Sequence, residues 1–390
     1  MTSTPGSVAT ESELAATRVA TSARLSRTSR PLRVCVVAPS LDILGGQAVV
    51  AQRLLERLRT DPSLEVSFIP HNPRLPGLLR ALQRIKYVRT AVTSVAYLAL
   101  LLRRLRDVDV VHVFSASYFS FVLAPTPAVL VGKLYGKRVI LNYRSGEAFD
   151  HLSRWPRSAL PICSRADLIV VPSGFLIDVF SKFDLRATAV PNFVEVDAIP
   201  YRRRARVQPR FLTNRNFAPH YNVGCVLRAF ARIQASIPGA QLTVVGDGQQ
   251  RQQLHALARE LELRNVEFVG QIPPQQMPAL YDQADVYLNA PNIDNMPNSV
   301  VEAFAAGLPV VTTRAGGIPY IVKHEENGLL VDCDSDEALA AAALRLFSEP
   351  DLAVRLADRA RGDVLSKYTW AVVRNGWRRA YGISDESDAS

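Results

Sequence analysis

RVCVVAPSLDILGGQAVVAQRLLERL, residues 33–58, contains a strand, a loop and a helix in that order. The apolar run at 33–40 is typical of a buried strand, whereas the apolar positions of 48–58 recur at helical spacing. A loop with two adjacent glycines joins them at 41–47. Strands that alternate with amphipathic helices in this way predict βαβ units and a parallel sheet with helices on both faces.

The same alternation continues along both halves of the chain. Apolar runs and amphipathic segments of the first half predict strands at 65–70, 109–115, 137–143 and 168–173, and helices at 77–105, 120–135 and 174–182. A second series runs from RFLTN at 210–214 to LPVVTT at 308–313. Because 390 residues exceed one ordinary core, we expect an α/β protein with two Rossmann-like domains and a ligand cleft between their parallel sheets.

A segment rich in proline and arginine separates the two series and is interpreted as a linker. The first 30 residues lack the apolar core of a signal peptide and are expected to be disordered. The resulting units are a tail at 1–30, a first domain at 31–197, a linker at 198–209, a second domain at 210–368, a C-terminal crossover helix at 369–382 and a tail at 383–390.

Composition restricts the class of protein further. With 48% hydrophobic and 21% charged residues the chain is typical of a globular protein. Four cysteines lie far apart and form no CxxC pair, which suits a reducing compartment and predicts a cytoplasmic protein. The longest apolar run, 91–102, is too short to cross a membrane.

The positive charge is concentrated in the first half. Residues 1–200 contain 25 basic and 15 acidic side chains, whereas the remainder is neutral. The segment 74–106 has eight basic residues and no acid, interleaved with apolar residues. Such a segment predicts an amphipathic helix on an anionic membrane surface. The alternative is that 91–102 belongs to the core and the arginines are solvated. Nucleic acid is not expected, because no stacking aromatic residues accompany the charge.

The stretch NIDNMPNSVVEAFAAGLPVVTT at 292–313 predicts a polar loop, a helix from about Ser299 and a buried strand. Asp294 lies in the loop and Glu302 eight positions later, in what is expected to be the first turn of the helix. Backbone N–H groups at a helix start form an anion site, and a carboxylate beside them can accept hydrogen bonds from ribose hydroxyls. Alternatively, Ser299 and Glu302 form a capping box that serves only the helix.

This stretch resembles the donor site of the family 4 retaining glycosyltransferases, which have the GT-B fold. Asp294 stands where the family usually has Glu, and Glu302 is followed by the family's Gly-x-Pro-Val-Val run at 307–311. The resemblance covers residues 31–381 and implies a nucleotide-sugar donor on the second domain and an acceptor on the first. The donor-binding residues that it implies here are Asp294, Asn295, Met296, Pro297, Asn298, Ser299 and Glu302.

Two segments with a departure each support the resemblance. In LTNRNFAPHYNV, Arg215 matches a diphosphate-binding arginine, but Tyr221 occupies the position of the family's lysine. In ILNYRSGEAFDHL, Arg144 replaces a histidine close to the transferred sugar. Arg144 can supply the charge that Tyr221 lacks, since guanidinium suits phosphate geometry. Otherwise it is a surface cation beside Glu147.

Further donor residues are implied by the glycine loop and by the segment near the base. Gly45 and Gly46 are expected to let the backbone approach the diphosphate. The base of the nucleotide is expected to bind at Gly270, Gln271 and Ile272, while Gly246 and Gly248 are interpreted as turn glycines.

The resemblance implies transfer with retention, with Asp294, Arg144 and Arg215 as the catalytic residues. No metal and no cofactor is expected. The two Asp-x-Asp sequences, 107–109 and 332–334, are interpreted as a strand entry and a helix N-cap, and no HExxH or GxSxG motif is present. The expected partners are a nucleotide sugar, a glycan or lipid-linked acceptor of a polysaccharide pathway and an anionic membrane surface, which would make the enzyme a peripheral one. The alternatives are an epimerase or phosphorylase on the same fold, or a catalytically silent sugar-nucleotide-binding subunit.

Overall fold

A computed structural model describes residues 30–41, 46–75 and 85–383. Its first sheet has six parallel strands in the order β2-β1-β3-β4-β5-β6. These are β1 (Leu32–Ala38), β2 (Leu64–Pro70), β3 (Val110–Phe114), β4 (Arg138–Asn142), β5 (Leu168–Val171) and β6 (Ala187–Ala189). The helices around this sheet are α1 (Gly46–Leu58), α2 (Lys86–Arg104), α3 (Phe119–Leu123), α4 (Pro125–Leu134), α5 (Ala148–Arg154), α6 (Pro156–Cys163) and α7 (Gly174–Ser181). We call this unit the first domain.

The second domain has another six-stranded parallel sheet, in the order β12-β11-β10-β7-β8-β9. Its strands are β7 (Arg210–Asn214), β8 (Gln241–Val245), β9 (Val266–Gly270), β10 (Val286–Asn289), β11 (Val310–Thr313) and β12 (Leu329–Val331). Its helices are α8 (Val223–Ser236), α9 (Arg251–Glu260), α10 (Met277–Gln283), α11 (Asn298–Ala305), α12 (Ile318–Ile321), α13 (Asp336–Ser348) and α14 (Pro350–Lys367). The protein therefore has the α/β architecture of two parallel sheets that was predicted.

Hydrophobic packing on both faces of each sheet explains why central strands such as β1 and β3 are largely apolar. Alternate residues of β1 enter opposite cores: Cys35 and Val37 pack with α2 and α4, whereas Val34 and Val36 pack with α1. Strands buried on both faces have no polar side, so they are recognisable as continuous apolar runs.

The last helix, α15 (Trp370–Tyr381), returns to the first domain. Trp377 and Tyr381 are buried in the same core as β1 and β3. The Tyr381 hydroxyl lies 2.9 Å from Nδ1 of His112, and Arg138 donates to the carbonyl of Ala380. The C-terminal helix thus packs on the sheet that is formed by the start of the chain.

The basic segment between the two series is fixed to the second domain. Arg204 is buried and donates to the carbonyls of Ala284, Ala306 and Tyr281 at 2.7–2.9 Å. Burial lowers the pKa of Arg204 to about 10. These bonds satisfy carbonyls at the ends of α10 and α11, which would otherwise lack partners.

Several elements differ from those predicted. The helix expected at 120–135 is two helices, because Pro125 begins a new one at α4. The strands β6 and β12 were not predicted, since three residues carry no recognisable pattern. Helix α2 begins at Lys86, and the preceding part of the predicted helix, 77–84, lies outside the described residues. The predicted tails also lie outside, apart from Arg30 and Ile383.

Candidate active site

A cleft of about 760 Å³ separates the carboxyl ends of the two sheets. From the second domain it is lined by the loops after β7 and β10 and by the start of α11. From the first domain it is lined by α1 and by the loop after β4. Parallel α/β sheets bind ligands at this edge, and the predicted residues Arg144, Arg215, Asp294 and Glu302 all line the cleft.

Arg215 and Asp294 form an ion pair on the second-domain side. Nη2 of Arg215 donates to Oδ2 of Asp294 at 2.5 Å, and Nη1 donates to Oγ of Ser299 at 3.2 Å. The ring of Tyr221 lies against the same guanidinium, with its centroid 4.0 Å from Cζ. Burial alone would lower the pKa of Arg215, but the Asp294 carboxylate raises it. The charge of this arginine is therefore balanced within its own domain.

Two glycines allow the loops that carry this pair to approach their neighbours. Gly246 has φ +144, and a Cβ there would lie 2.0 Å from the carbonyl oxygen of Arg215. Gly316 has φ +47, and its Cβ would lie 2.2 Å from the carbonyl oxygen of Asp294. A larger residue at either position would displace the arginine or the aspartate.

Glu302 faces the cleft and does not cap its helix. Helix α11 begins at Asn298 with Pro297 as N-cap and without a side-chain cap. The capping-box alternative is wrong, because Ser299 is already inside the helix and Glu302 is in the second turn, not the first. Its Oε1 accepts from Nη1 of Arg53 at 2.8 Å and its Oε2 accepts from the hydroxyl of Tyr281 at 2.9 Å.

Arg144 bonds to amides instead of carboxylates. Nη2 donates to Oδ1 of Asn192, and Nη1 lies 3.4 Å from Oδ1 of Asn142. Within the described part of the chain no carboxylate forms an ion pair with it, and it lines the cleft, so it is not a solvated surface cation beside Glu147. Burial lowers the pKa of Arg144 to about 10, so the side chain stays charged at neutral pH.

Asn192 connects Arg144 to the loop before α11. Its Nδ2 donates to the carbonyl of Met296 at 3.1 Å and to Oδ1 of Asn298 at 2.6 Å. The same side chain accepts from Arg144 through Oδ1. Asn192 therefore couples the position of the Arg144 guanidinium to the loop at 290–297, which contains predicted donor-binding residues and which we call the donor loop.

Most of the remaining predicted donor-binding residues line the cleft, but not all of them do. Asn295, Met296, Pro297, Asn298, Ser299, Tyr221, Ile272 and Gly46 line the cleft. Gly270 ends β9, where its carbonyl accepts from Gly246, and Gln271 follows it. A Cβ on Gly46 would contact nothing within 4 Å, so only a bound group could require glycine there. Gly45 lies outside the described residues.

One aspartate of each Asp-x-Asp sequence is engaged in contacts within the protein. Asp109 accepts from the backbone of Arg33 and from Arg30, as expected for a strand entry. Asp334 is not a helix N-cap: it accepts from two asparagines, and Ser335 caps α13. Over the described ranges, no three histidine, cysteine, aspartate or glutamate side chains are grouped to hold a metal ion.

Comparison with known proteins gives the family. Residues 203–363 match the family described as Glycosyl transferases group 1. The lipopolysaccharide core biosynthesis glycosyltransferase LpsE of Rhizobium meliloti (strain 1021) is 31% identical over 246 residues, which are 60% of this chain and 70% of that protein. The chain belongs to the glycosyl transferases group 1 family. It is therefore an enzyme that transfers a sugar.

The chain has two further similarities. One is to a protein that matches part of the sequence, and the other is to a solved structure with the same fold. A GDP-mannose-dependent alpha-(1-6)-phosphatidylinositol monomannoside mannosyltransferase of Mycobacterium tuberculosis (strain ATCC 25618 / H37Rv) is 28% identical over 179 residues, and these span 43% of this chain and 46% of that protein. The structure of Anabaena HepE in complex with UDP superposes with a TM-score of 0.72 at 15% identity, covering 90% of this chain and all of that one. That likeness shows the GT-B fold.

Among the cleft residues of this glycosyltransferase that were not predicted, three bond to Glu302 or Arg144: Arg53, Tyr281 and Asn192. Arg53 is one of three arginines in 53–59, and no local pattern distinguishes it from the others. Tyr281 belongs to a short helix whose inward face could only be known once α10 was placed against α11. The signal for Asn192 is weak, because it lies in an irregular segment beside a proline.

Proposed function

We propose that this glycosyltransferase transfers the sugar of a nucleoside diphosphate sugar, with retention of anomeric configuration, to an acceptor held by the first domain. The observation that carries the proposal is the grouping of Arg215, Asp294 and Glu302 at the start of α11. A helix start offers backbone N–H groups and a positive dipole to the diphosphate. Glu302 is then available to the ribose hydroxyls.

The reaction needs stabilisation of negative charge on the departing diphosphate. Arg215 lies beside α11, and Arg144 approaches the same loop from the other domain through Asn192. Preorganised cations in a cleft stabilise such charge without reorganisation during the reaction. Asp294 is proposed to bind hydroxyls of the transferred sugar while it holds Arg215 in position. No nucleophile on the enzyme and no metal ion is required.

Donor binding is tested first by thermal unfolding with UDP, GDP and ADP. A ligand at 100-fold its Kd adds about 2.7 kcal/mol of stability, so the correct diphosphate is identified by its shift in Tm. Glu302→Ala should abolish this shift and leave the unliganded protein folded. The matched control is Glu349→Ala, because Glu349 is an exposed glutamate of the same domain that pairs with Arg345.

A retained shift in Glu302→Ala would contradict the ribose assignment. The reaction itself is tested with the matching sugar donor, and the anomeric configuration of the product is read by NMR. Turnover that requires an acceptor supports transfer. A product formed without acceptor, or a requirement for inorganic phosphate, would instead indicate an epimerase or phosphorylase, and binding without turnover would indicate a silent subunit.

The acceptor is proposed to be lipid-linked and reached at an anionic membrane surface. Helix α2 has two apolar faces: Tyr97 and Leu101 are buried in the core, whereas Val95, Leu98 and Leu102 are 70%, 43% and 37% exposed. The exposed residues recur at spacings of three and four and therefore lie on one side of the helix. No helix of the described residues is long and apolar enough to span a bilayer.

Basic residues at the end of α2 and exposed residues of the neighbouring helix α4 extend the proposed membrane-binding surface. Arg103, Arg104 and Arg106 are exposed at the end of α2, and each cation near an anionic leaflet contributes about 1 kcal/mol. Helix α4 adds the exposed Leu130 and Leu134. An amphipathic surface of this kind inserts its apolar side about 5–10 Å into the headgroup region. The proposed enzyme is thus peripheral, on a cytoplasmic leaflet.

Co-sedimentation with vesicles tests the membrane proposal. Binding to vesicles that contain phosphatidylglycerol should exceed binding to neutral phosphatidylcholine vesicles and should fall with added salt. The double variant Val95→Ser, Leu98→Ser should reduce binding, while a matched substitution at exposed Leu365 on α14 should not. Equal, negligible sedimentation with both vesicles at low salt would refute the proposal.

A further inference from the structure

Side chains of both domains hold Glu302. Tyr281, which precedes it by 21 residues in the second domain, donates to Oε2 at 2.9 Å. Arg53, on α1 of the first domain, donates to Oε1 at 2.8 Å. The side chains of Arg53 and Glu302 are 22% and 10% exposed. A partly buried ion pair with direct hydrogen bonding is stronger than a surface pair, because water screens it less.

A second arginine of the same helix makes a similar contact. Arg57 follows Arg53 by one helical turn, and its Nε donates to Oε1 of Glu195 at 2.8 Å, with a further contact from Nη2 to Oε2. Glu195 lies in the segment that leads from the first domain to the second. One face of α1 therefore carries two guanidinium groups that bond to acids, Glu302 of the second domain and Glu195 of the connecting segment, and both acids line the cleft.

The two contacts leave acceptor capacity on Glu302. An ionised carboxylate has about four lone-pair sites, and Arg53 and Tyr281 occupy one on each oxygen. The remaining sites can accept from two neighbouring hydroxyls of a ribose. Arg53 thus does not have to leave when the nucleotide enters, and its hydrogen bond keeps the carboxylate oriented.

We propose that Arg53 is a positioning residue that completes the ribose site from the opposite domain and thereby couples donor binding to closure of the cleft. The proposal rests on the proposed function in one respect, namely that Glu302 binds the ribose. When the domains separate, the Arg53–Glu302 contact is lost and the carboxylate is held by Tyr281 alone. The donor then binds more tightly to the closed arrangement than to the open one, and binding shifts the population toward closure.

The coupling is tested with Arg53→Ala in the full chain, with UDP, GDP and ADP as probes. The Kd of the diphosphate that binds the wild type should rise about tenfold, which is the loss of one charge-assisted hydrogen bond to the site. The KM for the donor should rise while the KM for the acceptor is unchanged. Arg53→Lys should restore part of the affinity, because the ammonium keeps the charge but not the geometry of the guanidinium.

Small-angle X-ray scattering supplies a readout that a merely structural role would not change. The radius of gyration of the wild type should decrease on addition of the diphosphate, and Arg53→Ala should reduce this compaction. Arg345→Ala is the matched control, because this arginine of α13 forms an exposed ion pair with Glu349 away from the cleft. It should bind and compact as the wild type does.

The outcomes separate this inference from the proposed function. If Glu302→Ala keeps its affinity for the diphosphate, the ribose assignment fails and with it the premise. If Glu302→Ala loses affinity but Arg53→Ala binds as the wild type does, only the coupling is overturned. Tighter binding by Arg53→Ala would also overturn it, since Arg53 would then compete with the ribose for the carboxylate.

Discussion

The two arginines nearest the donor loop differ in how their charge is balanced. Arg215, in the second domain, forms an ion pair of 2.5 Å with Asp294. The guanidinium of Arg144, in the first domain, bonds to the amide oxygens of Asn142 and Asn192. The charge of Arg215 is therefore balanced by a carboxylate of its own domain, whereas the charge of Arg144 has no carboxylate partner among the described residues.

The difference indicates a division of roles. A cation that is already paired is held in place by its carboxylate, and its remaining N–H groups can donate to phosphate. A cation with neutral partners is desolvated without compensation, and an arriving anion relieves that cost. We therefore expect Arg215 to bind the diphosphate throughout the reaction and Arg144 to add to the stabilisation of the charge that grows on it.

The largest effect is expected for Arg215→Ala. The variant removes one phosphate partner and leaves Asp294 as an unpaired, largely buried carboxylate beside the diphosphate. Loss of a preorganised cation of this kind should lower kcat by about 100-fold or more. The lost ion pair should also destabilise the fold by about 3 kcal/mol. Steady-state kinetics and urea unfolding measure the two effects.

The double variant Arg215→Ala, Asp294→Asn distinguishes the roles of the pair. Removing the uncompensated charge should recover part of the stability, but activity should stay low because both donor contacts are lost. Recovery of activity together with stability would show that Arg215 serves only to neutralise Asp294.

A smaller effect is expected for substitutions of Arg144, whose charge is not balanced by a carboxylate. Arg144→Ala should lower kcat about tenfold, which is about 1.4 kcal/mol of transition-state stabilisation, whereas Arg144→His should lower it less. Tyr221→Lys places a second cation beside Arg215 and should partly rescue Arg144→Ala. Kinetic measurement of the four variants completes a double-mutant cycle. Strictly additive effects would show that the two positions do not act on the same charge.

The second-domain half of the site could be predicted and the first-domain half only in part. Asp294, Ser299 and Glu302 lie within eleven residues of one loop and helix, so their spacing along the chain already brings them together. Arg53 lies 249 positions from Glu302, and only the arrangement of the two domains makes them neighbours. A contact of that kind leaves no local pattern in the sequence.

Elements of the fold, too, could be predicted only where the sequence carries a local pattern. Strands such as β1 and β4 were recognisable because each contains a continuous apolar run that is buried on both faces, at 34–38 in β1 and at 139–141 in β4. The three-residue strand β6 has exposed positions, and the helices α5 and α6 are short and interrupted by Pro156. Elements whose stability comes from tertiary packing rather than from their own periodicity could not be predicted from a single sequence.

The two domains should also differ in their response to pH. His112 and His151 are fully buried in the first domain. Burial lowers the pKa of His112 to about 3, and the unbalanced charge of Arg144 adds to this effect. Burial likewise lowers the pKa of His151 to about 4. In the unfolded chain both side chains titrate near 6.5.

Below pH 6.5 the unfolded chain therefore binds protons that the folded first domain does not bind. Its stability should fall as the pH drops from 6.5 toward 4, by up to about 1.4 kcal/mol per pH unit for each histidine. Tryptophan fluorescence during urea unfolding can measure this, because Trp377 stacks on His112 at 4.7 Å. His112→Gln should reduce the slope, and an unchanged slope would mean that His112 is not the titrating group.

The smallest effect is expected from metal removal, since we predict that activity survives EDTA. We expect Arg215 and Arg144, one from each domain, and the start of α11 to neutralise the phosphate charge that a divalent cation would otherwise neutralise. Each Asp-x-Asp sequence is engaged elsewhere, Asp109 with Arg30 and Arg33 and Asp334 with two asparagines. Initial rates with and without chelator measure the effect. Loss of activity that Mn²⁺ or Mg²⁺ restores would show that the two arginines do not suffice, and the unbalanced charge of Arg144 would then need another explanation.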